Sequence, residues 1–369
     1  MVNVPAEPLR LFAEPDDAGP DEKAARSLRL TAPVLLLSAA LVISLIAGIA
    51  LGPSSVALPD VLRYLGKAIT GGTITGDEVT GYSIVWQVRT PRVLLAAVVG
   101  AGLAVVGVAV QALVRNALAD PFVLGISSGA SVGAAAVVVF GLFAGLGVLA
   151  LSTAAFLGAL GATAIVYLAA RSKFGLTPLR LVLTGVALTY GFQAVMSVLV
   201  YLSPSGQAAQ TVLFWLLGSL GAATWASLPL AALGVAVAIV VLLRYGTALD
   251  VLSMGDETAM SLGTDAAALR RWLFLLTAVV TGLLVAVSGS IGFVGLVLPH
   301  VVRMIAGSGH RRVLALAPLV GAVFLVWVDL LARTLVAPEE LPLGVITALI
   351  GVPVFLVVMR RRGYAFGGR

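Results

Sequence analysis

The chain has no cysteine, only two histidines, and charged side chains at just 11% of its 369 positions. The first absence excludes disulfides and thiolate metal sites. Scarce charge, set against 60% hydrophobic residues and a mean hydropathy of +1.09, leaves too little polar surface to cover a water-soluble globule of this size. An all-α polytopic membrane protein is predicted, because a bilayer core asks for about 20 consecutive apolar residues per helix and the sequence supplies many such runs. A phosphate-binding G-x-x-x-x-G-K-[ST] loop is also missing, so the chain is not expected to hydrolyse ATP. The pI near 10 raises the question of nucleic acid, but no basic patch is interleaved with aromatics. In a membrane chain basic excess more often records orientation.

Apolar runs bounded by charge, Gly or Pro predict ten spans: 31–51, 93–113, 122–143, 146–169, 180–202, 226–243, 270–288, 292–306, 313–333 and 342–359. Residues 203–225, flanked by Pro204 and Gly221, read as a partial helix facing outward. Residues 1–30 carry four basic and six acidic side chains among several prolines and read as a disordered cytoplasmic tail, too acidic for a signal peptide. Residues 361–369 form a second, basic tail. Sorting the 23 Lys and Arg alternately between the two faces puts 18 on the side of the N-terminus and five on the other. Both termini are therefore expected in the cytoplasm. The five exceptions include Arg89, Arg92 and Arg333, each at the outer end of a span. Snorkelling or anchoring accounts for such residues, and Asp329 one turn before Arg333 offers an i, i+4 partner.

Four stretches narrow the choice: RTPRVLLAAVVGAGLAVVGVAVQALVRNALADPFVLGISSGA (89–130), GDETAMSLG (255–263), GSIGFVGLVLPHVVRMIAGSGHRRVL (289–314) and VDLLARTL…ELPLGVITALIGVPVFL (328–356). In order and spacing they resemble the signature stretches of the iron-chelate uptake (FecCD) family of ABC-importer permeases, and the resemblance covers residues 30–360. It implies a ten-helix type II permease fold, dimeric around a central pathway, as a homodimer or with a related chain. Two ATPase subunits that bind ATP and magnesium would dock inside a bacterial cytoplasmic membrane, and an extracytoplasmic substrate-binding protein outside. No cofactor is expected in this chain. Carried over residue by residue, the resemblance makes Arg89, Arg92 and Arg333 a docking surface for the binding protein. Within 250–265 it implies a coupling helix that fits the ATPase, with Leu252, Gly255, Glu257, Ala259, Leu262 and Gly263 at its pattern and Thr258 in place of an alanine. It implies a cytoplasmic gate at Asn116 and Leu118, and a second at Thr177, where Pro178 departs from the family's pair of small hydroxyl residues.

Other signals are weaker. GISSG (125–129) matches a nucleophile elbow but opens a membrane span, where small residues serve helix packing. His300 reads as a helix-start residue satisfied by backbone, and His310 as a solvated loop residue. The pathway is expected to be apolar and lined by small residues. The reading is an importer permease, not itself an enzyme, for a ferric-siderophore-type chelate, with haem or cobalamin as alternative cargo. An ion-coupled carrier is the alternative class, and it lacks the intramembrane ionisable residues such carriers use.

Overall fold

The computed structural model of the protein describes residues 20–361 other than Ser55, Lys173 and Phe174, with side chains from Leu30 to Arg360. Fifteen α-helices succeed one another: α1 (Pro20–Ala50), α2 (Leu58–Thr70), α3 (Val79–Tyr82), α4 (Thr90–Leu113), α5 (Ile126–Phe140), α6 (Ala150–Ala170), α7 (Pro178–Tyr201), α8 (Gly206–Leu216), α9 (Leu228–Arg244), α10 (Gly246–Ser253), α11 (Asp256–Ser261), α12 (Ala266–Ser288), α13 (Val294–Ala306), α14 (His310–Ala332) and α15 (Leu343–Arg361). Among the described residues the only β pairing is an isolated bridge between Ser172 and Gly175. Seven helical stretches are long and apolar enough to cross a membrane. The pair α9–α10, bent by 66°, makes an eighth, and α5 and α13 are shorter apolar helices. Each predicted span thus meets a helix.

Several boundaries differ from the sequence reading. Residues 1–19 and 362–369, most of the two expected tails, lie outside the described residues. The helical backbone of α1 begins at Pro20, inside the stretch read as the N-terminal tail. Pro20 supplies the first-turn geometry, and Glu22, Lys23, Ala24 and Ala25 are strong helix formers. The second span starts early as well, since a π-helical turn at Ser83–Arg89 joins α3 to α4 without a break.

Helix α4 is apolar on every side, and a helix with that pattern is expected at the centre. It is: α4 packs against α14, α12, α13 and α9. Bilayer lipid is as apolar as leucine, so helix association here depends on close packing rather than on escape from water. Gly100 faces Gly321 of α14, and Gly107 faces Gly295 of α13, so closely that a Cβ at either position would collide with the opposing backbone carbonyl. Helices α5 and α6 meet in the same way through Gly129, Gly133 and Gly158.

The partial helix expected within 203–225 is α8, and backbone hydrogen bonds stitch the residues after it into the helices around them. Leu217 and Gly218 accept hydrogen bonds from Gly344 and Leu343 at 2.9 Å, and Ser219 N–H donates to Ser288 at 2.9 Å. Irregular backbone at membrane depth is tolerated only where such partners exist. Both histidine readings are corrected. His300 is buried in the middle of α13, and His310 opens α14 with its Nδ1 2.6 Å from Asp250 Oδ1.

Candidate functional site

Three regions bear on function: the span ends that carry Arg89, Arg92 and Arg333, a cavity beside α5 and α7, and the segment around α11. At the first of these, α1 stops at Ala50 and leaves its last carbonyls without helical partners, as every helix end does. Arg89 fills that gap. Its Nη1 donates to Ile49 O at 3.1 Å and Ala50 O at 2.9 Å, and its Nη2 to Ser54 Oγ at 3.0 Å and Ser54 O. Arg333 Nη2 donates to Gly48 O and its Nε lies 3.4 Å from Asp329 Oδ2. Arg92 donates from Nε to Asp329 Oδ1 at 2.9 Å, and holds Glu340 with both terminal nitrogens at 2.7 and 3.0 Å.

The three guanidinium-bearing residues are 7% exposed or less. In this chain the three residues expected to meet a binding protein are held by carbonyls at the end of α1 and by acidic side chains. Arg89 and Arg333 donate to carbonyls at the end of α1 and Arg92 to Asp329 and Glu340, so together they clamp three span ends, with Arg333 Nε buried and making no hydrogen bond. A sequence shows an arginine at a span end, but not the carbonyls and carboxylates that fold onto it.

A cavity of about 680 Å3 lies among α5, α7 and α8. Its polar lining is Ser127, Ser128 and Ser131 of α5, Thr189, Gln193 and Ser197 of α7, and Ser290, with no Asp, Glu, Lys, Arg or His. Phe122, Thr189 and Gln193 are shared with a neighbouring space of about 450 Å3 that reaches Asp120 and Phe293, so the two form one track along α7. Ser127 and Ser290 hydroxyls meet at 2.7 Å across it. The sequence reading assigned none of these residues. The signal was present: 189, 193 and 197 recur at i, i+4, i+8 and draw a polar stripe down an otherwise apolar helix, and Ser127 and Ser131 repeat that spacing.

At the opposite end of the spans from Arg89, α10 and α11 form a short, sharply turned segment. Gly255, with φ of +120°, turns the chain between them, and Gly263, with φ of +77°, ends α11; both conformations suit glycine. Of the six residues expected to engage the ATPase, Leu252 and Ala259 are fully buried and anchor the segment from within. Gly255 is half-buried, while Glu257, Leu262 and Gly263 are exposed. Met254, Met260 and Leu262 are each more than half exposed, which gives the segment an apolar outer face. Asp256 turns inward, where the hydrogen-bonded Arg270 guanidinium holds its carboxyl below the ordinary carboxylate range.

The expected gate residues sit on two loops nearby. Asn116 is exposed and accepts the Leu118 N–H at 2.9 Å in a local turn, with Leu118 half-buried. Thr177 is half-buried and precedes α7 without a side-chain capping bond. Asn116 and Thr177 make no hydrogen bond to each other, but their chain neighbours Arg115 and Leu176 both approach the Asp256–Arg270 pair.

Comparison with known proteins agrees with this architecture. The chain is 38% identical over 330 residues to the ABC transporter permease protein YvrB of Bacillus subtilis, covering 87% of this chain and 91% of that one. It is 44% identical over 282 residues to the hemin transport system permease protein HmuU of Yersinia pestis, covering 75% and 84%. A solved metal-chelate type ABC transporter in an inward-facing conformation superposes with a TM-score of 0.77 at 32% identity, covering 89% of this chain and 99% of that one. The FecCD transport family model matches residues 40–361, and the chain belongs to that family.

Proposed function

We propose that the chain is the membrane-spanning permease subunit of an ATP-driven importer, carrying a ferric-siderophore-type chelate into the cytoplasm by alternating access. The observation that carries this reading is the segment 251–263, where Met260 on α11 and Met254 and Leu262 on either side of it stand exposed, with Leu252 of α10 and Ala259 of α11 buried behind them. Exposed apolar side chains on a rigid, glycine-bounded element suit a partner surface better than they suit water. The partner is an ATPase subunit, because this chain has no nucleotide loop of its own. Work done there must reach the cavity, so the chain is a conduit and not an enzyme. Outside, a substrate-binding protein delivers the cargo, and a second permease subunit covers the widely exposed face of α7.

The cavity lining supports the cargo class. Hydroxyls and one amide line the larger space and a single carboxyl, Asp120, the adjoining one, which offers weak contacts to a large, already chelated metal and too few ligands for a bare ion. Haem and cobalamin remain alternative cargo of the same kind, and permeases for each stand among the relatives. The gates are the loops carrying Asn116, Leu118 and Thr177. An ion-coupled carrier would need a free intramembrane carboxylate; Asp329, buried in α14, already faces both Arg92 and Arg333. Both termini lie in the cytoplasm.

The test is uptake into vesicles holding the permease, with and without its ATPase, ATP and binding protein, using a ferric hydroxamate, haem and cobalamin as cargo. ATP-dependent accumulation of the ferric chelate supports the proposal. Accumulation driven by an ion gradient alone overturns it.

A further inference from the structure

Arg270 is only 2% exposed, near the start of α12, and takes no part in the span-end clamp or the cavity lining. Its two terminal nitrogens reach three places. Nη2 donates to Asp256 Oδ1 at 2.6 Å, while Nη1 donates to Asp256 Oδ2 at 3.1 Å and to the Leu176 carbonyl at 3.0 Å. A planar guanidinium binds a carboxylate in this two-point fashion, which fixes orientation as well as distance. Asp256 opens α11, and Leu176 is the residue before Thr177 at the start of α7.

The same carboxylate is approached from a third side. Arg115 Nη1 lies 3.7 Å from Asp256 Oδ1. Arg115 closes α4 with φ of +52°, a left-handed position that glycine or asparagine usually fills, with its N–H bonded to Ala112 O and the next N–H to Gln111 O. A Cβ on Gly255 would stand 3.5 Å from Arg115 Nη1, so the turn between α10 and α11 runs directly beside this guanidinium. One buried arginine and one carboxylate therefore join α11, the 114–121 loop and the 171–177 connection. Helix α12 spans about 34 Å at 1.5 Å per residue, and just beyond its far end Ser290 lines the cavity.

We propose that Arg270 is a positioning residue that, through Asp256, makes the segment 251–263 move as one body with the two cytoplasmic loops, so that displacement of α11 opens or closes both loops together. This rests on the transport reading above and adds the connection by which force leaves the partner-facing segment. Lysine at 270 keeps the charge but cannot hold a carboxylate at two points and a carbonyl at once.

The test uses the full permease assembled with its ATPase and binding protein in vesicles. In R270K and D256N, chelate imported per ATP hydrolysed falls about tenfold, while ATPase co-purification and hydrolysis stay within about twofold, a range typical of lost coupling between sites. The more exposed R115Q shows the same change at smaller size, and R271Q, at the exposed neighbouring position, shows none. Because the chain lacks cysteine, spin labels at S261C and R171C report the distance between α11 and the end of α6 without further engineering. In the otherwise native protein that distance is unchanged by nucleotide trapping; in R270K it broadens. Import per ATP unchanged in R270K, or a label distance that shifts on trapping in a transporting native protein, overturns the proposal. If the native assembly imports nothing with ATP, the transport reading fails instead. Should D256N not accumulate, R270K, R115Q and the native label distance decide.

Discussion

Replacing Arg92 by methionine separates the two carboxylates that it holds. The Asp329 side chain is 1% exposed and that of Glu340 is 36% exposed, so the same guanidinium makes one buried pair and one half-open pair. Breaking a buried pair by removing one partner costs about 3–5 kcal/mol, since the remaining charge stays out of water. Arg333 Nε at 3.4 Å from the other oxygen covers part of that loss, which puts R92M near the lower figure, about 3 kcal/mol. The Glu340 arm is screened by solvent and contributes about 1 kcal/mol or less. A double-mutant cycle with D329N should therefore return a coupling several times larger than one with E340Q. The assay is unfolding of the detergent-solubilised protein followed by tryptophan fluorescence, with all variants in one detergent. Equal couplings, or a larger one to Glu340, would refute the claim that this arginine is an internal clamp. R92M with native stability and lost binding-protein affinity would assign it a docking role instead.

The same geometry sets further expectations. G100V at the α4–α14 contact forces two backbones apart and should destabilise by about 1–3 kcal/mol or more, seen as lost folded yield and a lower unfolding midpoint. Lys67, hydrogen-bonded at 2.5 Å, and the Thr75 N–H together depress the Glu78 carboxyl from its ordinary 4.5 to about 2. Its contribution to stability is therefore present above pH 4.5 and lost as pH falls toward about 2. In E78Q the unfolding midpoint should depend less steeply on pH across that window, and an unchanged slope would count against the pairing. Q193L removes the amide midway along the α7 stripe and should lower ATP-driven uptake about tenfold, equivalent to about 1.4 kcal/mol on the barrier, with subunit assembly intact. M260D puts a charge on the apolar outer face of α11 and should weaken ATPase capture by about 2 kcal/mol, read by co-purification.

Span positions were legible because they depend on apolar runs that local sequence carries whole: each predicted span overlaps a helix, including the partial one that became α8. The glycines at 255 and 263 were named only as part of a pattern, although glycine at a positive φ is a local requirement that marks the turns they make. What escaped was long-range pairing. Arg92 meets Asp329 and Glu340 across more than 230 residues of chain, and nothing near position 92 announces either partner. The arginines were placed at span ends, and Asp329 was offered as a partner for Arg333, but the partners of Arg89 and Arg92 within the chain were not read. Arg270 was counted only as one more cytoplasmic positive charge, because its burial depends on the loop around Leu176 folding over it. The cavity stripe was readable in principle: Thr189, Gln193 and Ser197 recur every four residues, but which face of α7 meets a cavity is settled by α5 and α8 packing beside it.

The account stands on the partner-facing role of residues 251–263, and one measurement addresses it directly. A photoreactive probe on M260C, placed in the native membrane with all subunits present, should cross-link to the nucleotide-hydrolysing subunit, with a yield that changes when ATP is added. A probe at that position that reacts only with water or lipid while ATP-driven uptake proceeds normally would contradict it.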